Sequence, residues 1–192
     1  MTVRVMLVAP AVGGELREAR FGDDRPLDEA ELTPVRARTA PAGGATAVLT
    51  APSRRCRQTA QALGLTAAVE PALADLDAGA WRGRALAELA ADEPEAVRSW
   101  LGDPGFAPPG GESVTALCAR VGRRLDRLAE QDGARVLAVA EPAAIRAAVL
   151  HALALPPAAF WRLDVAPLTV TRLSGRAGRW NLRTGAPLGQ EF

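Results

Sequence analysis

The sequence predicts an α/β fold on a mainly parallel sheet. Three observations predict it. Short apolar runs of strand length alternate with capped helical segments. The 192 residues and 48 % hydrophobic content are enough for one buried core without disulfides or a structural metal. No internal repeat or domain boundary divides the chain, so residues 1–192 read as one domain.

Residues 3–8 form a β-branched-rich apolar run of strand length, stopped by Pro10. Gly13, Gly14 and the charged residues through Pro26 make a loop. Thr33 is expected to cap a helix that begins at Pro34, where a missing N–H costs nothing, and runs to about Thr39. Residues 45–50 are a second short strand. Ser53 caps a helix through Leu63, closed by Gly64. Residues 67–70 are a third strand and 73–83 a loop. Two short helices, 85–91 and 95–101, flank Pro94. A Gly/Pro-rich loop covers 102–111. Ser113 caps the next helix, in which Leu117, Val121, Leu125 and Leu128 recur at helical spacing. Residues 135–140 are a fourth strand, and Pro142 opens a helix through Leu153. Residues 168–173 and 179–182 pair as a hairpin around Gly175 and Gly178, leaving 184–192 as a surface tail.

Charge and composition exclude several function classes. With 23 basic and 22 acidic residues the net charge is +1, so no global field selects a polyanion. Arg54, Arg55 and Arg57 lack interleaved aromatics and read as a helix face, not a nucleic-acid site. Arg120, Arg123, Arg124 and Arg127 are expected on a solvated face, pairing with Asp126 and Glu130. No run reaches the roughly 20 apolar residues of a membrane span, and residues 1–10 do not read as a signal peptide, so the expectation is a cytoplasmic protein without membrane contact. Cys56 and Cys118 form no Cys-x-x-Cys motif and read as buried thiols. One histidine, His151, excludes any paired-histidine centre, and no cofactor or metal is expected. His151 itself reads as a partly buried residue near a helix end. Trp81, Trp100, Phe160 and Trp161 read as core.

Four segments in order carry a family resemblance. They are Phe21 to Leu27 with Leu32-Thr33, Ala51-Pro52-Ser53-Arg54-Arg55-Cys56-Arg57-Gln58-Thr59-Ala60, Leu73 to Gly83 with its Gly79-Ala80-Trp81-Arg82-Gly83, and Gly110-Gly111-Glu112-Ser113. Together they resemble the histidine phosphatase, phosphoglycerate mutase-like superfamily over nearly the whole chain. That resemblance implies a three-layer α/β/α sandwich. It also implies a phosphate-binding site where Arg20, Arg55, Asp75 and Glu112 match family positions. The reacting positions depart from the family. Ala9 stands where the resemblance places an arginine, Pro10 at the nucleophilic histidine and Ala11 at a glycine. Val12, Gly13 and Leu16 replace further motif residues, and Glu141 stands at the second histidine.

Proline offers no side-chain nucleophile for phosphoryl transfer. His151 lies ten residues beyond Glu141, nearly three turns along the following helix at about 1.5 Å per residue. A carboxylate in place of an imidazole also works against a dianion: one charge pair at 4 Å is worth roughly 4 kcal/mol at an effective dielectric of about 20. A buried Glu141 needs a partner, and Arg55 is the expected one. The expected ligand-binding set is therefore Ala9, Pro10, Arg20, Arg55, Asp75, Glu112 and Glu141. Two functions follow from it. One is a pseudophosphatase that binds a small molecule or a protein partner without turnover, its pocket filled. The other is a repurposed enzyme using Asp75 and Glu141 as acid and base beside Arg55, with an open pocket and a raised carboxylate pKa. Oligomeric state is left open, a homodimer included.

Overall fold

The computed structural model describes residues 1–14, 19–22, 24–176 and 178–184. Leu16 and the tail beyond Thr184 lie outside them. The chain runs β1 (Val3–Val8), α1 (Glu29–Arg36), β2 (Ala47–Thr50), α2 (Arg54–Ala62), β3 (Ala68–Val69), α3 (Leu86–Asp92), α4 (Pro94–Gly102), α5 (Val114–Ala129), β4 (Arg135–Val139), α6 (Pro142–Ala152), β5 (Val170–Arg176) and β6 (Arg179–Arg183). Single 3-10 turns occur at Pro71–Leu73, Gly79–Trp81 and Pro157–Arg162.

The strands form one sheet in the order β3-β2-β4-β1-β5-β6. β1, β2, β3 and β4 pair in parallel; β5 and β6 are antiparallel to their neighbours. This is the expected α/β architecture. Consecutive residues Val5, Met6, Leu7 and Val8 of β1 are all buried, so both faces of the sheet are covered. α5 offers Leu117, Val121, Leu125 and Leu128 to the core on one stripe, as its spacing predicts. α6 is buried on nearly every side, and its alanines let the helix approach closely. Among the described residues, no helix is long and apolar enough to cross a membrane.

The structure corrects the first helix. It begins at Glu29, because Asp28 and Glu31 form a reciprocal capping box, with bonds of 2.8 and 2.9 Å. That cap outcompetes Thr33, whose hydroxyl donates back to the Glu29 carbonyl at 2.9 Å, and Pro34 lies inside the helix. Cys56 is buried as expected, whereas Cys118 is only partly so.

The stretch 73–83 is a fixed loop. Gly79 sits at φ +52°, and a Cβ there would lie 2.3 Å from the Pro109 carbonyl oxygen and 2.5 Å from the Gly111 nitrogen. The missing side chain lets two loops interlock: Ala80 N–H donates to Pro109 at 2.9 Å and Glu112 N–H to Asp77 at 2.8 Å. Gly79→Ala is expected to destabilise the fold by about 2–4 kcal/mol, combining backbone strain with overpacking against main chain that cannot swing aside. Urea denaturation of the purified variant measures this, and a loss within experimental error of zero would contradict the interlock.

Candidate functional site

The parallel strands β1, β2 and β4 deliver their carboxyl ends to one place, where open α/β sheets form ligand crevices. After β1 the chain turns through Pro10 and Ala11, and Ala11 N–H donates to Thr59 Oγ1 on α2 at 3.1 Å. After β2, Ser53 caps α2 by accepting from Cys56 N–H, which places Arg55 in the first helical turn. After β4, Glu141 stands at the N-cap of α6, but its side chain makes no cap bond.

That carboxylate goes instead to Arg55, which donates Nε to Oε1 at 3.1 Å and Nη2 to Oε2. Ser53 Oγ donates to Oε1 at 2.5 Å, and the Cys56 thiol sits 3.4 Å from the same oxygen. Glu141 is 1 % exposed and Arg55 7 %. The expected ion pair is thus present, two-pronged and buried. It lies where the N-termini of α2 and α6 converge, so both helix dipoles favour the carboxylate. Burial opposes the Arg55 charge, but Glu141 and then Asp75 more than offset it, so its pKa is raised. Burial and the Glu141 charge push the Cys56 thiol well above its ordinary range, which leaves it protonated.

Asp75 completes a triad. Its Oδ2 accepts from Arg55 Nη2 at 3.2 Å, and its Oδ1 from Leu76 N–H at 3.0 Å. Unlike Glu141, it keeps about half of its side chain in contact with solvent (48 %). Desolvation by the surrounding walls, then the Glu141 charge, raise its pKa to about 6 against the pull of Arg55. One guanidinium faces two carboxylates, so this floor carries one net negative charge when Asp75 is ionised.

The loop bearing Asp75 is held by α5. Arg120 grips Glu112 with Nε at 3.0 Å and Nη2 at 2.7 Å, and donates to the carbonyls of Ala72 at 3.0 Å and Asp75 at 3.2 Å. Arg124 pairs with Glu70 at 2.5 Å. The expectation of a solvated Arg face on α5 is therefore wrong for both: long-range carboxylates and open loop carbonyls outcompete the neighbours one turn away. Asp126 pairs with His151 at 2.8 Å.

Above the floor opens a cavity of about 930 Å³. Pro10, Arg20, Arg55, Asp75, Glu112 and Glu141 all line it. Ala9 does not, being fully buried among core residues. Arg20 is tied to the Gly83 carbonyl at 3.0 Å and to Glu88 at 3.5 Å. His151 is not among the lining residues. Trp81 and Phe160 are core, as expected, but Trp100, Phe160 and Trp161 also form a cavity wall, Trp100 and Trp161 with ring centroids 4.4 Å apart. Trp100 Nε1 is buried with no acceptor among the described residues. Sequence reasoning missed Arg146, which also lines the cavity. Its signal was available: a lone charge in the otherwise apolar Ala143-Ala144-Ile145-Arg146-Ala147-Ala148. Among the described residues, no cluster of three or more His, Cys, Asp or Glu is placed to hold a metal ion.

Two outcomes follow from the floor. Arg55→Met or Glu141→Leu strands the other charge and is expected to cost about 3–5 kcal/mol in urea denaturation, while the double variant recovers most of that loss; additive single losses would show the pair to be uncoupled. Between pH 3.8 and about 6 the folded chain holds a proton on Asp75 that the unfolded chain has released. Stability contributed by this group therefore falls as pH rises through that window, by a slope that solvent contact keeps modest. Comparing wild type with Asp75→Asn across the window should show that component vanish; parallel profiles would contradict it.

Comparison with known proteins gives the family. A family model described as "Histidine phosphatase superfamily (branch 1)" matches residues 21–186. The bifunctional protein Rv2228c of Mycobacterium tuberculosis and the uncharacterised protein Mb2253c of Mycobacterium bovis are each 38 % identical over 135 residues, 67 % of this chain and 37 % of theirs. The chain thus spans little more than a third of the length of these curated relatives. Among solved structures, mycobacterial glucosyl-3-phosphoglycerate phosphatase Rv2419c with VO3 superimposes with a TM-score of 0.80 at 27 % identity, over 94 % of this chain and 97 % of that one. The alpha-ribazole phosphatase of Shigella flexneri, at 19 % identity and TM-score 0.82 over 94 % and 95 %, shares the fold. With the family model matched over residues 21–186, the chain belongs to the histidine phosphatase superfamily, branch 1.

Proposed function

We propose that this chain is a small-molecule-binding member of the superfamily that does not transfer phosphoryl groups. The observation that carries the reading is the buried Arg55–Glu141 pair. Arg55, the arginine retained from the phosphate-binding positions, already spends its fork on Glu141 and Asp75. An incoming phosphate would have to displace two carboxylates and sit beside one net negative charge. Pro10, at the position of the nucleophile, lines the same cavity with a ring that cannot accept a phosphoryl group. The phosphatase activity named for the mycobacterial neighbour is therefore not carried over.

The geometry contradicts the expectation of a filled pocket. The pair fills the floor, but the cavity above it is open, which favours a small molecule over a protein partner. Two features favour a second reading, a repurposed enzyme: the cavity is open, as that reading expects, and one carboxylate on its floor is raised. Asp75, at about 6, is half-exposed and suited to proton transfer near neutral pH. In that reading Glu141 is held by Arg55 and Ser53, and desolvation together with its charge raises Asp75. Asp75 is then the candidate proton-transfer group.

Incubation with p-nitrophenyl phosphate, followed by intact-mass measurement and a hydrolysis assay, tests the proposal. The expected result is no phosphorylated chain and turnover equal to that of Arg55→Met. A covalent phosphoryl adduct, or turnover above background that is lost in Arg55→Met, would overturn it.

A further inference from the structure

We propose that the cavity takes a small amino-carboxylate with an apolar body, of the α-amino-acid class, with its carboxylate on Arg146 and its ammonium on Asp75. This rests on the reading above, that the floor does not serve phosphoryl transfer, and names the ligand class of the same cavity.

Arg146 is the first support. It projects from α6 into the cavity wall, with its Cζ 5.5 Å from the Phe160 ring centroid and 5.8 Å from that of Trp161. Nε donates to the Leu163 carbonyl at 2.7 Å. That bond and the two rings fix the plane of the guanidinium. Among the described residues no carboxylate lies within 4.0 Å of it, and its Nη1 and Nη2 donors have no hydrogen-bond partner. Arg55, Arg82 and Arg120, which line the same cavity, are each paired: with Glu141, with Asp77 at 2.8 Å and with Glu112 at 2.7 Å. A pre-oriented, half-buried fork that feels the charges of Asp164 and Asp75 without pairing with either can meet an anion bidentately.

Asp75 supplies the opposite pole. It is the one member of the floor triad that solvent reaches, and the triad as a whole is negative, so a cation or donor is favoured beside it. Arg146 and Asp75 line the same cavity and each feels the other's charge, Arg146 feeling that of Asp164 more strongly, yet the two form no ion pair. An α-amino acid carries an ammonium and a carboxylate on one carbon, and so offers a group of the right charge to each of these two lining residues. A phosphate dianion satisfies Arg146 only by facing the negative floor. Between the two poles, Phe160, Trp161, Trp100 and Val165 present apolar surface for the rest of the ligand.

The test uses named probes on the intact protein: L-phenylalanine, L-leucine, 3-phenylpropanoate, 2-phenylethylamine and inorganic phosphate, with affinities from ligand-observed NMR and calorimetric titration. At least one amino acid is expected to bind about tenfold or more tighter than both truncated analogues, without competition from phosphate. Arg146→Lys and Arg146→Gln should each weaken the amino acid at least about tenfold and leave 2-phenylethylamine unaffected. Asp75→Asn should weaken the amino acid and spare 3-phenylpropanoate, with thermal melts confirming that each variant is folded. Failure of every probe to bind, amino acids no tighter than their truncated analogues, or displacement by phosphate would overturn the proposal. If no phosphoryl adduct forms and no amino acid binds, this inference alone falls; an adduct removes the reading beneath it.

Discussion

The buried Arg55–Glu141 pair organises everything around it. Two β-to-α turns, β2 to α2 and β4 to α6, end with their helix N-termini aimed at one point, and a carboxylate sits there with Arg55 and Ser53 donating to it. Neither charge can be left alone in that position without a large desolvation cost. The pair thereby ties two crossover units of the sheet together and sets the polarity of the cavity floor, where desolvation and the Glu141 charge raise Asp75 against the pull of Arg55. A floor designed to hold a dianion would keep its arginine free; this one neutralises it from within the chain.

The elements that fixed the sheet were legible because they rest on local rules. Buried apolar runs gave β1 and β4, and Ser53, Gly64, Ser113 and Pro142 marked helix ends in positions the structure confirms. The first helix was misplaced because two start signals compete within six residues. Thr33-Pro34 looks stronger in isolation, but Asp28 and Glu31 satisfy two backbone donors at once. The loop 73–83 gave no hint of its rigidity. That comes from main chain meeting main chain around Gly79 and Gly111, which a one-dimensional pattern does not show.

The site was legible where a charge had to be buried. The resemblance singles out Glu141, and a carboxylate set there after a buried strand has to find a cation, for which Arg55 is placed. The roles of Arg120 and Arg124 were misread for a related reason: helical spacing proposes partners one turn away, while the carboxylates they hold, Glu112 and Glu70, come from distant loops. Ala9 illustrates the limit of carrying positions over by resemblance, since it is buried in the core and does not line the cavity. Arg146 was overlooked although a single charge in an alanine-rich buried helix requires an explanation.

The central claim is that Glu141 occupies Arg55 in place of phosphate. Calorimetric titration of inorganic phosphate into wild type and Glu141→Gln, at millimolar concentrations and neutral pH, addresses it directly. No saturable binding to wild type and measurable binding to the variant, where Arg55 is released from its principal partner, is the predicted result. Equal, saturable phosphate binding by both proteins would contradict it.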